Sequence, residues 1–191
     1  MKKLFLASVM ALGLSVTAAK AEPVEYVFDL SHTSIEFYVN HMGFSNFQGE
    51  FQKFDGKLVF DEAKPEASSV SVTIDANSID TDVKALDDHL KSADFFDTAK
   101  FADLKFVSKS IKVTGKNTGV ITGDLTMHGV TKEVSLDATL NKSGVNPIVK
   151  KQSVGFSATA KVMRSDFGIT KYVPGVGDEV TIRIETEAQV K

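Results

Sequence analysis

The amino-acid sequence predicts an all-β fold: an extended antiparallel β-barrel of about eight strands with one short helical insertion at about residues 81–96. Apolar side chains recur at every second residue along most of the chain, and short polar segments separate these runs. Short connections favour antiparallel neighbours. A sheet with one apolar face must close on itself or pack against a second sheet, and a closed barrel of this size can be filled by side chains or hold one small ligand.

The composition is that of a folded domain. Of the 191 residues, 42% are hydrophobic and 25% are charged, and the chain has no Cys and no Trp. A disordered chain would be less apolar. Disulfide scaffolds and Cys-based zinc sites both need cysteine, so these classes are excluded. The length fits one domain, and we find neither an internal repeat nor a low-complexity tract.

Residues 1–21 are predicted to be a secretory signal peptide rather than part of the fold. Two lysines precede an uncharged apolar run, and Ala19-Lys20-Ala21 has the small residues of a cleavage site. The alternative is a membrane anchor, which needs about 20 apolar residues, and the run at 4–19 is shorter. We therefore expect export to the periplasm or secretion. The processed chain, residues 22–191, would form one β-barrel domain without a membrane span.

Removal of this peptide makes the chain more acidic. The whole sequence carries a formal net charge of −3, from 22 basic and 25 acidic residues. The peptide holds three lysines and no acid, so the processed chain has 19 basic residues and a net charge of −6. An excess of acid argues against nucleic acid as a partner, because phosphate binding needs Lys and Arg in excess. It also predicts that no polybasic face for anionic lipid is present.

The strand signals run from one end of the processed chain to the other. Alternation of apolar and polar residues occurs at 26–30, 35–40, 70–76, 104–106, 134–140, 154–160 and 180–185. Further strands are expected at 49–60 and 117–127. Turn-forming residues lie between them at 61–69, 115–117, 128–129, 141–147 and 174–177.

One stretch follows a helical period instead. An apolar stripe between residues 81 and 91 consists of Val83, Leu86 and Leu90. Thr81 is the expected N-cap, and Asp82 is well placed for the helix dipole. Residues 92–96 would add a second short turn, so the whole insertion is expected to cross one end of the barrel.

The search for catalytic and cofactor motifs finds none. The four histidines, His32, His41, His89 and His128, lack the spacing of a helical metal site. Gly175-Val176-Gly177 lacks the third glycine of a dinucleotide fingerprint and precedes a strand, so a turn is the better interpretation. Gly155-Phe156-Ser157 lacks the second glycine of a nucleophile elbow. We predict no catalytic residue, no metal site and no cofactor.

Phenylalanine is the unusual component, with 14 residues against three Tyr. A Phe side chain buries a large area without needing a hydrogen-bond partner. Some of these rings must form an ordinary packed core. Others fall in predicted loops or short helices, where exposed rings are unfavourable unless they line an apolar pocket. These are Phe44, Phe47, Phe95, Phe96 and Phe167.

Several segments together resemble the YceI-like family of exported, lipocalin-like lipid-binding proteins. They follow one another in the family's order across nearly all of the processed chain. The segments are Asp29-Leu30-Ser31-His32-Thr33-Ser34-Ile35-Glu36-Phe37, His41, 49–51, 78–81, 89–97, 123–132 and 164–168. The most specific are His89-Leu90-Lys91-Ser92-Ala93-Asp94-Phe95-Phe96-Asp97 and His128-Gly129-Val130-Thr131-Lys132. At Phe101-Ala102 the family often has a proline, which predicts only a changed loop.

The resemblance implies a lipocalin-like barrel with a long apolar channel. The channel would take an isoprenoid chain, such as a polyprenyl phosphate or a quinone tail, or another long-chain lipid. It implies no established catalytic activity. Each buried methylene contributes roughly 0.8 kcal/mol of transfer free energy, so a long chain has ample driving force for binding.

The residues expected to bind this ligand combine the loop rings with inward side chains of the strands and the helix. They are Phe37, Val39, Phe44, Phe47, Phe51, Leu86, Leu90, Phe95, Phe96, Phe106, Phe156, Arg164, Phe167 and Tyr172. The candidates for holding a head group at the mouth are Arg164, Lys171 and Tyr172. A structural ion pair is the alternative role for Arg164, with Asp94, Asp97 or Asp166 as the partner.

Two other functions stay open at this point. A secreted enzyme acting on a hydrophobic substrate would bring two or more of His32, His41 and His128 together with a carboxylate at one end of the cavity. A structural or stress-protective β-protein would have a filled interior. The sequence also leaves a homodimer open.

Overall fold

The computed structural model describes residues 23–191, so the predicted signal peptide at 1–21 lies outside the described residues. The β-segments are β1 Val24–Phe28, β2 Ser34–His41, β3 Ser45–Phe51, β4 Phe54–Phe60, β5 Ser69–Asp75, β6 Ile79–Asp80, β7 Asp103–Val113, β8 Thr118–Met127, β9 Val130–Val145, β10 Gln152–Met163 and β11 Val176–Val190. One α-helix, α1, spans Lys84–Leu90. Short 3-10 turns occur at Leu30–His32, Pro65–Ala67, Ala76–Ser78 and Arg164–Phe167.

The eleven β-segments form eight long strands that close into an antiparallel barrel. Three of the long strands are interrupted: β1 continues into β2, β3 into β4, and β5 into β6. These three lie side by side through the β1–β4, β2–β3, β4–β5 and β3–β6 pairings, and β7 to β11 follow in chain order. The barrel closes where β11 pairs with both β1 and β2. The predicted fold class is confirmed.

The apolar face of each strand points into the barrel. On β9, Val134 and Leu136 are buried, whereas their neighbours Glu133, Ser135 and Asp137 are exposed. This alternation places one continuous apolar cluster through most of the interior. A second, smaller cluster contains Tyr26, Leu58, Phe60, Val154 and Ala188.

Two ends of the barrel are distinguished below. The helix end carries α1, the β2–β3 turn, the β8–β9 turn and the segment 164–175. The hairpin end carries the β7–β8 turn, the β9–β10 loop at 146–151 and the 3-10 turn Pro65–Ala67. The second cluster lies at the hairpin end, where β1, β4 and β10 meet the end of β11.

The N-terminus of the helix differs from the prediction. The helix begins at Lys84, after Val83 as the N-cap. Thr81 is not the cap, because its hydroxyl and its backbone N–H both donate to Oδ1 of Asp87, at 2.6 and 2.8 Å. Asp82 has a left-handed backbone, with φ of 59°. The side chain of Asp87 therefore holds the turn before the helix.

Two strand boundaries also differ. The predicted strand at 49–60 breaks at Gln52 and Lys53, whose N–H groups donate to the backbone oxygen and the hydroxyl of Ser78 instead of continuing a ladder. The predicted turn at 141–147 is strand as far as Val145. A bulge at Asn141, opposite the Gly155–Phe156 step, lets β9 and β10 continue pairing beyond it.

Candidate ligand-binding cavity

The barrel encloses a cavity of about 600 Å³. Its wall is built almost entirely from apolar side chains of the strands and α1. Exposed residues border it at both ends, Met42 and Tyr172 at the helix end and Lys116 and Asn117 at the hairpin end. Its volume lies within the range of sites for small organic ligands.

The alternation along each strand and the pairing register between strands together determine which side chains line the cavity. On β2 and β11, which pair directly, alternate apolar residues face the cavity at the same height. Phe37 is opposite Ile182, and Val39 is opposite Val180. Side chains in register on one face of a sheet contact one another, so neighbouring strands give a continuous apolar surface.

Two glycines leave room for aromatic rings in this wall. Gly49 is opposite Phe37 in the β2–β3 register, and a methyl group placed on Gly49 would lie 2.3 Å from Cζ of that ring. A methyl group on Gly123 would lie 2.6 Å from Cζ of Phe106. Both rings therefore lie over glycine backbone, which widens the space inside the barrel.

Aromatic side chains surround the cavity at the helix end. Phe51 packs edge-on against Phe96, with 5.6 Å between ring centroids, and lies 5.8 Å from Phe37. Phe95 packs against His89 at 5.0 Å and Tyr172 at 6.2 Å. These contacts join the segment after α1 to the strands and to the 164–175 segment.

An exposed ion pair lies at the same mouth. Nζ of Lys171 is 2.9 Å from Oδ2 of Asp94, and Nε2 of His89 is 3.8 Å from the same oxygen. The hydrogen bond from Lys171 lowers the pKa of Asp94, and the Asp94 carboxylate raises the pKa of Lys171. The ammonium also lies 5.4 Å from the centre of the Tyr172 ring. The pair thus connects the two segments that border the opening.

Arg164 lines the cavity, but its guanidinium holds the backbone of the mouth. It donates to the carbonyl oxygens of Gly177, Ile169 and Val176 at 2.8, 3.1 and 3.0 Å. The expected ion pair with Asp94, Asp97 or Asp166 is not found. The acid whose charge acts on the guanidinium is Asp178. Its carboxylate accepts hydrogen bonds from the N–H and the hydroxyl of Ser165. Burial lowers the pKa of Arg164.

Most residues of the predicted ligand-binding set face the cavity. Twelve line it: Phe37, Val39, Phe47, Phe51, Leu86, Leu90, Phe95, Phe96, Phe106, Phe156, Arg164 and Tyr172. Two do not. Phe44 is 89% exposed beside the β2–β3 turn, and Phe167 is 1% exposed within the apolar cluster beneath the 164–175 segment. Their placement depends on loop conformation, which residue type alone does not specify.

Beyond Val39, Leu86 and Leu90, sequence reasoning missed most of the aliphatic lining. Ile35, Val72, Ile111, Leu136 and Ile182 all face the cavity. The same period of two that predicted the strands could have found most of them. Lys116 and Asn117 at the hairpin end carry no such signal, because their position depends on how the turns meet in space.

The histidine arrangement required by the enzyme alternative is absent from residues 23–191. His32 is exposed, with Nδ1 2.9 Å from Oδ2 of Asp29. His41 lines the cavity, whereas Nδ1 of His128 lies 2.9 Å from the carbonyl oxygen of Phe167. Within the same range, no group of three or more potential metal ligands is close enough to hold an ion. The filled interior expected of a purely structural protein is not observed either, because the cavity is present.

No helix in the described part of the chain has the length and apolar character needed to cross a bilayer.

Comparisons with known proteins agree with this geometry. A UPF0312 protein of Pseudomonas putida is 43% identical over 172 residues, covering 88% of each chain. Protein YceI of Salmonella arizonae is 40% identical over 189 residues, covering 98% of this chain and 97% of its own.

Solved structures share the barrel. The crystal structure of BcnA from Burkholderia cenocepacia is 28% identical, with a TM-score of 0.78, and the comparison covers 85% of this chain and 99% of BcnA. A polyisoprenoid binding domain from Saccharophagus degradans has the same fold at 11% identity, with a TM-score of 0.68 and coverage of 88% and 99%. The family model described as the YceI-like domain matches residues 26–188. The chain therefore belongs to the YceI-like family.

Proposed function

We propose that the protein is a binding and carrier protein for a long-chain lipid, held in the cavity of the barrel. The ligand class we favour is an isoprenoid, such as a polyprenyl phosphate or a quinone with an isoprenoid tail. The observation that carries the proposal is the apolar cavity of about 600 Å³. The barrel of Saccharophagus degradans, described as a polyisoprenoid binding domain, supports the isoprenoid class by analogy of fold.

The cavity suits the tail of such a ligand. A flexible hydrocarbon gains roughly 0.8 kcal/mol for each methylene removed from water. The gain must exceed the cost of association and of ordering the chain, which many methylenes together can do. The ion pair of Lys171 and Asp94 lies at the mouth, where a polar head group would meet water. Binding without catalysis is sufficient to account for these features.

The compartment is part of the same proposal. The pattern of residues 1–21 predicts export, and a carrier is useful wherever a lipid must cross water between membranes. Amino-terminal sequencing of the protein from a cell fraction tests this point. Cleavage after Ala21 supports export, and an uncleaved cytoplasmic chain contradicts it.

The binding proposal is tested by native mass spectrometry and organic extraction of the purified protein. We expect a co-purifying lipid or uptake of added polyprenols or quinones. Ala158→Trp should weaken binding strongly, because Ala158 lines the cavity and an indole there would obstruct it. Thr159→Trp is the matched control, since the adjacent side chain is exposed on the outer face. An empty protein that takes up no polyprenol, quinone or fatty amide overturns the proposal.

A further inference from the structure

The β9–β10 loop exposes an apolar surface to water. Ile148 is 86% exposed, Val145 64% and Val149 46%. In a free monomer, exposed aliphatic side chains at this position add no stabilisation from burial. A cluster of them on one projecting loop is typical of an interaction surface.

The exposure is built into the loop conformation. Oδ1 of Asn146 accepts hydrogen bonds from the backbone N–H groups of Ile148 and Val149, at 2.9 and 3.3 Å. The N–H of Asn146 donates to the carbonyl oxygen of Lys151, and the N–H of Lys150 donates to that of Asn146. Pro147 restricts the chain further. The loop therefore holds Ile148 outward in a defined geometry.

Lysines lie at the same end of the barrel as this apolar surface. Six exposed lysines at the hairpin end form no ion pair with any carboxylate in residues 23–191: Lys64, Lys112, Lys116, Lys142, Lys150 and Lys151. Acids lie at the same end but are fewer. Glu25 is shared by Lys57 and Lys191, Glu62 accepts from the hydroxyl of Ser143, Asp61 is buried, and Glu66 is exposed on the Pro65–Ala67 turn. These lysines lie at one end although the chain is acidic overall, because net charge does not report how charges are distributed.

The basic surface borders the cavity. Lys116 and Asn117 line the cavity from the β7–β8 turn. The carbonyl oxygen of Asn117 accepts a hydrogen bond from the N–H of Leu140, at 2.7 Å, which ties this turn to the base of the β9–β10 hairpin. The exposed loop and this end of the cavity thus belong to one connected region.

We propose that the hairpin end is a docking surface for an anionic lipid bilayer. Ile148 and Val149 enter the interfacial region, and the lysines contact lipid phosphates, as in other peripheral proteins that combine apolar and basic residues. Docking brings the nearby end of the cavity against the membrane.

Charge complementarity favours a bilayer over a second copy of this chain. A two-fold contact through the loop would bring the same lysines of both copies together. Facing like charges oppose such an association. An anionic surface instead satisfies the lysines and the apolar side chains at once.

Co-sedimentation of the protein with lipid vesicles tests this proposal. We expect binding to phosphatidylcholine vesicles that contain phosphatidylglycerol, weak binding to phosphatidylcholine alone, and loss of binding as salt is raised. Lys150→Gln with Lys151→Gln should weaken binding about 25-fold, at roughly fivefold for each lysine near an anionic surface. Ile148→Ser with Val149→Ser should also weaken it.

Matched controls lie elsewhere on the barrel. Val107→Ser removes an aliphatic side chain exposed on the outer wall, and Lys132→Gln removes an exposed lysine near the helix end that has no ion pair within residues 23–191. Neither should change vesicle binding. Three results would each overturn the docking surface. They are vesicle binding that does not depend on phosphatidylglycerol, loop variants that bind vesicles like the parent protein, and dimerisation without vesicle binding.

The docking test is independent of the proposed function. The loop variants should keep whatever lipid the parent protein carries, as measured by native mass spectrometry. Loss of docking with lipid retained supports a separate surface. A protein that holds no lipid yet binds anionic vesicles contradicts the proposed function alone.

Discussion

The two ends of the barrel differ in how their charges are used. At the helix end, three lysines are engaged by nearby acids: Lys84 pairs with Asp88, Lys100 with Asp97 and Lys171 with Asp94. Lys91 and Lys132 at that end have no ion pair within residues 23–191. At the hairpin end, six lysines have no ion pair within residues 23–191. The same fold thus presents one mouth where three lysines are paired with acids and a basic surface at the other end, although the chain is acidic overall.

The ends also differ in how they are packed. At the helix end, aromatic rings and the 164–175 segment surround the cavity, with Phe167 buried beneath that segment. At the hairpin end, Tyr26 and Phe60 pack with 6.4 Å between ring centroids, and Phe60 and Phe156 with 5.4 Å. Packing at the helix end depends on the 164–175 segment, which side-chain contacts hold in place. At the hairpin end the strands themselves supply the packed core.

The substitution at the helix end with the largest expected effect on stability is Phe167→Ala. Removal of a fully buried ring should destabilise the protein by roughly 3–5 kcal/mol, because a cavity remains where the ring was. Phe44→Ala at the same end should change stability by less than about 0.5 kcal/mol, since that ring is exposed. Chemical denaturation measures both. Equal effects from the two substitutions would contradict the assigned burial.

A smaller effect is expected from Gly49→Ala. The added methyl must push the Phe37 ring toward the cavity, which should cost about 1–3 kcal/mol and reduce lipid uptake. The control at the hairpin end is Gly155→Ala, whose new methyl would have 3.8 Å to its nearest neighbour. The control should keep both stability and uptake. If Gly49→Ala takes up lipid like the parent, the ring does not limit the cavity.

The smallest effect belongs to the ion pair at the helix end. Asp94→Asn should slightly lower the thermal midpoint near neutral pH at low salt, since exposed pairs contribute little. The folded-state pKa of Asp94 is lowered. The stabilisation is therefore present above the ordinary Asp pKa, about 3.9, and disappears as pH falls through the lower folded value. The thermal midpoints of the parent protein and the Asp94→Asn variant should converge at that low pH.

A double-mutant cycle sharpens this comparison. Lys171→Gln should produce the same loss as Asp94→Asn, and the double variant should lose little more. The pKa of Lys171 is raised, so its contribution is lost as pH rises through that folded value. Additive losses would show that the two groups act independently.

The sequence predicts the barrel well because strand period and turn residues are local signals. Val134 and Leu136 on β9 are buried as the alternation indicates. The breaks at Gln52 and at Ala76–Ser78 were not predictable, since they depend on hydrogen bonds between distant segments.

The residues of the candidate site also fall into two groups, those whose position follows from a local pattern and those whose position depends on contacts between distant segments. Rings on strands, such as Phe37 and Phe106, face the cavity as their alternation predicts. Phe167 looked like a pocket residue because its loop was unknown, and it is a core residue instead. The grouping of lysines at one end follows from the meeting of two hairpins, which no single segment encodes. The signal peptide and compartment stay predictions.

The pairing of β11 with both β1 and β2 has a consequence for when the barrel can hold a ligand. This strand supplies one full seam of the wall, from Val176 opposite His41 to Val190 opposite Tyr26. Without β11 in place, the other strands form an open sheet with no enclosed space. A lipid tail in the proposed site would therefore be enclosed only once β11 has paired on both sides, so closure of the barrel and enclosure of the tail are one event.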